Sequence, residues 1–466
     1  MRTDLVFNVN LLYNKDIKGG LMTAIYIDKS QGFLYEQLYN YFKNAILNGQ
    51  IENNAKLPSK RDLQNDLNIS QSTIEAAYNL LLDEGYIYSK ERSGYYASDI
   101  ASLVQIPDEK SFEVEETYEK KYNYDLDFNG IDPSMAIDSA LAKTIRDIAS
   151  DLDDDLYVRH LSSGLYELRA AIAKYLYYER GFKVSANQIY IANSTRALIY
   201  ELTNAYPKFK FALEDPGFPG IVNTLKEFKK NYQVFDVLDD GIDLEKIPQN
   251  TNIISVTPSH QFPTGLVYSI KKRLDLISWA SSKKDRYILE DDYDSEFRYT
   301  GIKIPALKSF DVNDRVIYIG NFSKSIAPSI KTSYMVLPKS LVLKNYETNV
   351  SYFTQKLIAN FIDQGHFEKQ LNKMRTASKR KLNILLKALD ENKIAYTGQD
   401  AGLHVICDFK DREEEILANA SKYKIKIYPI KDYYQNKSDD PRYIIGYASI
   451  SEADLKTACD LLFKKM

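Results

Sequence analysis

Cysteine is nearly absent. Cys407 and Cys459 are the only two in 466 residues, too few for a disulfide framework, and such usage fits a reducing cytoplasm. No apolar run approaches the ~18 residues that span a bilayer. The N-terminus has no continuous apolar stretch ahead of a small-residue cleavage site, so no secretory signal is expected. Neither sign of charge dominates: 61 Lys and Arg stand against 64 Asp and Glu, a formal net charge of −3. That balance excludes a globally basic nucleic-acid coat but leaves room for a local contact face. Internal repeats and low-complexity tracts are also lacking. With 44% hydrophobic and 27% charged residues, the composition is ordinary globular, and the length predicts two or three folded units.

Residues 1–29 read as an N-terminal arm. Within them, Lys18-Gly19-Gly20-Leu21-Met22 is a string that AAA-GGA-GGN-TTA-ATG would encode, a purine-rich ribosome-binding sequence ahead of a start codon. The abundance of Lys, Asn, Ile and Tyr suggests an AT-rich genome that favours such codons. One expectation is therefore that Met22 is the natural start and residues 1–21 are translated leader; the other is an ordinary arm.

Residues 30–98 form a compact unit. Phe33, Leu34, Leu38, Phe42 and Ile46 recur at helical spacing and Gly49 stops the run. Ser59 is placed to cap a second helix, with Asp62 at the third helical position. Ser70 and Ser72 offer caps to a third helix carrying Ile74, Ala77, Tyr78 and Leu81, which ends at Gly85. Tyr86–Tyr88 and Tyr95-Tyr96 read as strands around a Ser89–Gly94 turn. Three helices and a hairpin are the layout of a winged helix-turn-helix. Its third helix opens with Ser70, Gln71, Ser72 and Thr73, short polar groups suited to phosphates and base edges. Lys60 and Arg61 open the preceding helix, and Lys90 and Arg92 sit in the wing, where phosphate contacts are expected. Six basic residues against eight acidic give this unit a net charge of −2, so charge alone does not mark a DNA binder. A winged helix used for protein contacts is the other reading.

Residues 99–121, rich in Asp and Glu, read as an acidic linker. From 122 to 466, β-rich runs such as Ile189–Ala192, Ile253–Val256, Tyr287–Leu289 and Val316–Ile319 alternate with helical segments. The pattern predicts an α/β domain, a mixed and mostly parallel sheet covered by helices. Ligand sites in such sheets gather at the carboxyl ends of strands, and three unusual clusters fall there. Glu290-Asp291-Asp292-Tyr293-Asp294-Ser295-Glu296 packs like charges, which is costly unless something cationic is bound; a solvated loop or a divalent-metal site would also explain it. In Gly320-Asn321-Phe322-Ser323-Lys324-Ser325, desolvation would make the lysine amine nucleophilic, although a lone lysine is usually a surface charge. Thr257–Gly265 is a rigid, hydrogen-bonding turn, and most such turns are structural.

The string Leu57-Pro58-Ser59-Lys60-Arg61-Asp62-Leu63, followed by Asn68–Ile74, Ala77-Tyr78 and Glu84-Gly85-Tyr86, resembles the DNA-binding domain of GntR-type bacterial regulators. That resemblance implies a transcription factor that binds operator DNA and is usually dimeric. Gln71 stands where the family commonly has Arg. The three later clusters, in their order, resemble the fold-type-I pyridoxal-phosphate (PLP) aminotransferase domain, with a smaller C-terminal α+β subdomain. Fused behind a GntR-type head, they look like a MocR-type regulator. The resemblance implies Lys324 as the Schiff-base lysine, Asp291 as partner of the ring nitrogen, Tyr293 for the ring hydroxyl and Phe218 stacked on the ring. It implies Ser194, Thr195, Ser323, Asn321 and Lys331 for the cofactor phosphate, and it implies no metal. Lys331 replaces the family's usual Arg, and the phosphate turn Ala192–Arg196 lacks its usual glycine. The family's carboxylate-binding Arg aligns with Ile444; Arg442, two positions earlier, is the one residue that could replace it.

The expected function is a cytoplasmic, homodimeric, PLP-responsive regulator of vitamin B6 synthesis or salvage, closest to the pyridoxine-synthesis regulators. Dimerisation is expected through the aminotransferase-like domain, which would serve as a sensor rather than an enzyme. An amino-acid-responsive regulator of the γ-aminobutyrate type and a working aminotransferase with a vestigial head are the alternatives.

Overall fold

The computed structural model describes residues 32–99 and 121–465, apart from 137, 153, 159–162 and 300–304, together with Ile25 and Ile27. The expected leader and all but the ends of the expected acidic linker lie outside the described residues. The chain divides into two compact units between Glu119 and Lys120.

In the first unit, α1 (Leu34–Leu47) buries Leu38, Phe42, Ala45 and Ile46, as its helical period requires. Helix α2 (Lys60–Leu67) starts where Ser59 accepts the Asp62 N–H and stops at Asn68, whose φ of 48° is left-handed. Helix α3 (Gln71–Asp83) is capped by Ser70, which accepts the Thr73 N–H, so Ser72 lies inside the first turn. Strands β1 (Ile87–Lys90) and β2 (Gly94–Ala97) pair antiparallel from Ile87↔Ala97 to Lys90↔Gly94. The hairpin therefore runs further into the Ser89–Gly94 stretch than the turn residues suggest. Ile25 and Ile27 are buried in the same core as Phe42, Ile74 and Tyr78, which extends the head's packing to residues before 30.

The second unit opens with β3 (Tyr124–Asp125), α4 (Asp138–Ser150) and α5 (Tyr166–Tyr175). Helix α5 continues as a π turn over Leu176–Arg180 and ends at Gly181, with φ 78°. Next come β4 (Ile189–Ala192), α6 (Thr195–Ala205), β5 (Phe211–Asp215), α7 (Pro219–Glu227), β6 (Tyr232–Leu238), β7 (Gly241–Ile242), β8 (Ile253–Val256), α8 (Ile270–Ser281), β9 (Tyr287–Asp292), β10 (Val316–Asn321) and β11 (Ser333–Val336). These eight strands form one sheet in the order β4-β11-β10-β9-β8-β5-β6-β7. The run β10-β9-β8-β5-β6 is parallel, and β11 and β7 pair antiparallel with their neighbours. Strands β4, β5, β8 and β9 are buried throughout, because helices cover both faces. After α9 (Tyr352–Asp363) and α10 (His366–Glu391), a smaller α+β region adds β12 (Ala395–Thr397), β13 (His404–Asp408), α11 (Glu413–Tyr423), β14 (Ile425–Lys426), β15 (Tyr428–Pro429), β16 (Arg442–Gly446) and α12 (Glu452–Leu462). Its sheet has the order β12-β13-β16-β15 and is antiparallel.

Two strands outrun their expected ends. β9 carries Glu290, Asp291 and Asp292 within the sheet, all three buried, so the acidic run is not a solvated loop. β10 includes Gly320 and Asn321. Both extensions bring polar residues to the carboxyl edge of the sheet.

Candidate functional site

Alternation along β9 sends neighbouring carboxylates to opposite faces, and the three find different surroundings. Glu290 accepts the backbone N–H groups of Leu307 and Lys308 at 2.7 and 2.9 Å. Asp292 pairs with buried Arg180 at 2.6 Å and accepts the Tyr318 hydroxyl at 2.5 Å. The cation that the acidic run required thus comes partly from Arg180. Asp291 is different. Its Oδ1 is buried with no hydrogen-bond partner among the described residues. Burial, reinforced by Asp292, pushes its carboxyl up to about 7.

Lys324 follows β10 and is buried, with Nζ 4.5 Å from the centre of the Tyr293 ring. Burial lowers its ammonium pKa against the pull of Asp294, Asp127 and Asp291. Tyr293 Oη lies 3.0 Å from His260 Nδ1, which in turn lies 2.9 Å from Asp294 Oδ2. Burial opposes the charge on Asp294, yet His260 and Lys324 hold its carboxyl below the usual range. Neighbouring His404 is pushed down to about 3, chiefly by burial. The Thr257–Gly265 turn that delivers His260 is anchored by buried Glu214, which accepts from the Thr257 hydroxyl at 2.7 Å and the Tyr268 hydroxyl at 2.5 Å. Most of that turn is structural, as such turns usually are.

A cavity of about 550 Å³ collects Ser194, Thr195, Phe218, Asp291, Tyr293, Asn321, Ser323, Lys324 and Lys331. All nine expected cofactor residues line this one space. Ser194 caps α6 by accepting the Ala197 N–H, which directs the first-turn amides of that helix at the cavity and favours an anion there. Asn321 Oδ1 accepts the Ser323 N–H at 3.1 Å and shapes the opposite lip. Phe218 is 40% exposed, forming an apolar wall. Asn129, Asn193, Arg196, Phe262, Pro328 and Ser333 also line the cavity. Asn193 and Arg196 belong to the Ala192–Arg196 turn and Phe262 to the Thr257–Gly265 turn already singled out in the sequence, whereas Asn129 and Ser333 are isolated polar residues with no period or spacing to mark them.

Ile444 is fully buried among Phe128, Phe262, Ile406 and Ile430. Arg442 shares its strand, but its guanidinium turns to Asp440, donating from Nη2 at 2.6 Å and from Nε at 2.9 Å. It is not among the residues lining the cavity.

On the head, Ser70 Oγ is bonded to Ser72 Oγ at 2.9 Å and to Thr73 Oγ1 at 2.7 Å, while Gln71 and Arg61 are exposed. Lys60 Nζ reaches Glu75 at 3.2 Å. Lys90 rests its ammonium 4.5 Å from the Tyr96 ring centre, and Arg92 takes a left-handed φ of 58° at the wing tip.

The residue patterns of both units match known families. The family described as "Bacterial regulatory proteins, gntR family" matches residues 34–96, and "Aminotransferase class I and II" matches residues 139–462. The uncharacterized HTH-type transcriptional regulator YdeL of Bacillus subtilis (strain 168) is 37% identical over 440 residues, covering 91% of this chain and 94% of its own. The probable rhizopine catabolism regulatory protein MocR of Rhizobium meliloti is 28% identical across 92% of this chain and 93% of its own. The chain belongs to the MocR-type transcriptional regulators. Among solved structures, this MocR-type chain resembles the kynurenine aminotransferase of Pyrococcus horikoshii with a TM-score of 0.66, covering 83% of this chain and 98% of that one. At 20% identity that likeness concerns the fold. PLP is the cofactor of this domain class. The MocR-type site fits it on three counts: a buried lysine, an orphaned buried carboxylate opposite, and a helix N-terminus for the phosphate. Among the described residues, no helix is long and apolar enough to cross a membrane.

Proposed function

We propose that this MocR-type protein is a PLP-responsive, cytoplasmic regulator: PLP held at Lys324 changes how the winged heads engage operator DNA, so genes of vitamin B6 synthesis or salvage follow PLP supply. The observation that carries the reading is Lys324 and Asp291, whose Oδ1 has no partner among the described residues, lining one cavity; the position that the resemblance gives to the carboxylate-binding Arg is taken by Ile444, which is fully buried. The HTH-type pyridoxine biosynthesis transcriptional regulator PdxR of Corynebacterium glutamicum, 25% identical across 90% of this chain, supports the choice of pathway.

When bound, PLP supplies an electrophilic aldehyde on an electron-withdrawing ring. Lys324 offers an amine that burial keeps readier to lose its proton. Asp291 would pair with the ring nitrogen and keep it protonated, Tyr293 would hydrogen-bond the ring hydroxyl, and Phe218 would stack on the ring. The α6 N-terminus with Ser194 and Thr195, together with Asn321, Ser323 and Lys331, would hold the phosphate. Arg442 is already committed to Asp440, which counts against an amino-acid effector and against a working aminotransferase, since both need the substrate carboxylate held in place. We place dimerisation in this domain, where Ile145, Leu152, Tyr157, Tyr166, Tyr178 and Phe353 are each exposed.

The test is operator binding by fluorescence anisotropy, with and without PLP, for the wild type and Lys324→Ala. PLP should shift the wild-type Kd. The variant should fold normally by circular dichroism, show no visible absorbance with PLP and ignore it in the binding assay. A borohydride-reducible PLP adduct on the variant, or a wild-type Kd indifferent to PLP, would overturn the proposal.

A further inference from the structure

Helix α3 turns Ile74, Ala77, Tyr78 and Leu81 into the core. The outward stripe of its first two turns is Gln71, Ser72, Glu75 and Ala76, spaced i, i+1, i+4 and i+5. This stripe has no cation, and its one ionisable group is the Glu75 carboxylate. Gln71 and Glu75 face the same way, since the Gln71 amide donates to Glu75 Oε1 at 3.3 Å. Lys60 Nζ donates to the same oxygen at 3.2 Å, and its ammonium also sits 5.5 Å from the centre of the Tyr95 ring on β2. One lysine is thus held by the second helix, the third helix and the wing together.

A carboxylate carried among phosphates is repelled unless a cation travels with it, and Lys60 is positioned to be that cation. Inside a major groove a carboxylate can only accept. Guanine presents two acceptors there and thymine an acceptor and a methyl group, so only the amino groups of cytosine and adenine satisfy it. Adenine presents an acceptor beside its amino group and suits the amide of Gln71, which both donates and accepts. Cytosine, with its amino group alone, is left for Glu75. We propose that Glu75 is a base-reading residue that selects a C·G pair in each operator half-site, with Lys60 serving as its counter-ion. The inference rests on the operator-binding reading of the head.

The experiment is selection from a randomised duplex pool with the full chain, for the wild type, Glu75→Gln and Glu75→Ala, followed by anisotropy on the selected site and its single-pair variants. Wild type should enrich one invariant C·G pair per half-site, and replacing it should weaken binding on the order of 10- to 100-fold. Glu75→Ala should lose discrimination at that position alone and keep it elsewhere. Glu75→Gln should move the preference there toward A·T, a gain that loss of folding cannot produce. If wild type selects a site and both variants keep its preference at every position, the role of Glu75 is refuted while operator binding stands. If wild type selects no site, both fall.

Discussion

Replacing Asp291 by Asn exchanges a buried ionisable group for a neutral one of the same shape, and the apo and PLP-loaded proteins should respond in opposite directions. In the apo protein, burial and then Asp292 raise the Asp291 carboxyl from 3.8 to about 7. Each pK unit is worth about 1.4 kcal/mol, so the ionised form destabilises the apo fold by on the order of 4 kcal/mol. The sign follows from the direction of the shift. A group whose folded pKa lies above its unfolded value contributes stability below the unfolded value, and that stability is lost as pH rises through the window from 3.8 to about 7. Asp291→Asn has no such loss. Its urea midpoint without PLP should match wild type near pH 4 and exceed it increasingly up to pH 8. Glu290 and Glu296, also raised by burial to about 7, are common to both proteins and cancel in the difference, whereas Glu214, whose charge helps raise Asp291, is itself relieved in the variant and adds to its gain. With PLP the order reverses. Removing a charge-assisted bond to the ring nitrogen should weaken PLP binding by roughly 1.5–3 kcal/mol, about 10- to 150-fold. Urea titrations at several pH values, with PLP titrations followed by absorbance, read both effects. An apo variant less stable than wild type at pH 8, or one binding PLP as tightly as wild type, would refute the reasoning.

Arg61→Ala and Lys90→Ala should weaken binding about uniformly across sequences and flatten its salt dependence, whereas changes at Gln71 or Thr73 should alter sequence preference; sequence-selective loss from Arg61→Ala in the same anisotropy assay would reverse the assignment. Alanine, glutamate, aspartate and γ-aminobutyrate should leave the spectrum of the PLP-loaded protein unchanged below about 1 mM, because Ile444 stands at the position of the family's carboxylate-binding Arg and a carboxylate without that partner forgoes roughly 2–4 kcal/mol of charge-assisted pairing; a saturable shift with any of them would overturn this and make Arg442 the first residue to replace. Arg180→Met leaves buried Asp292 without its 2.6 Å partner and should lower stability by about 3–5 kcal/mol in urea denaturation; a change under about 1 kcal/mol would show that the pair matters little.

The head was legible in the residue order because its signals are local. Apolar residues at helical spacing placed the first helix, and Ser59 and Ser70 cap where side chains beside the chain's own amides must cap. In the body, Ile189–Ala192 and Ile253–Val256 were readable as continuous apolar runs, the mark of strands covered on both faces. The acidic run was read short. Local chemistry says that Glu290, Asp291 and Asp292 belong in water; only the backbone amides of Leu307 and Lys308 and the guanidinium of Arg180, remote in sequence, make a buried strand of them. The same reasoning covers Asn129, which reaches the cavity from a part of the chain far from the clusters that mark it. Arg442 shows the limit from the other side. Its strand position was readable, but whether its guanidinium met the cavity or Asp440 depended on a competition between partners in space. What the sequence by itself determined was therefore the set of elements and the residue types at their ends, since caps, periods and apolar runs act over a few residues. The tertiary structure decided which charges are paired and which one, Asp291, is left facing a cavity, because burial and Coulomb energies are set by neighbours in space and not by neighbours along the chain.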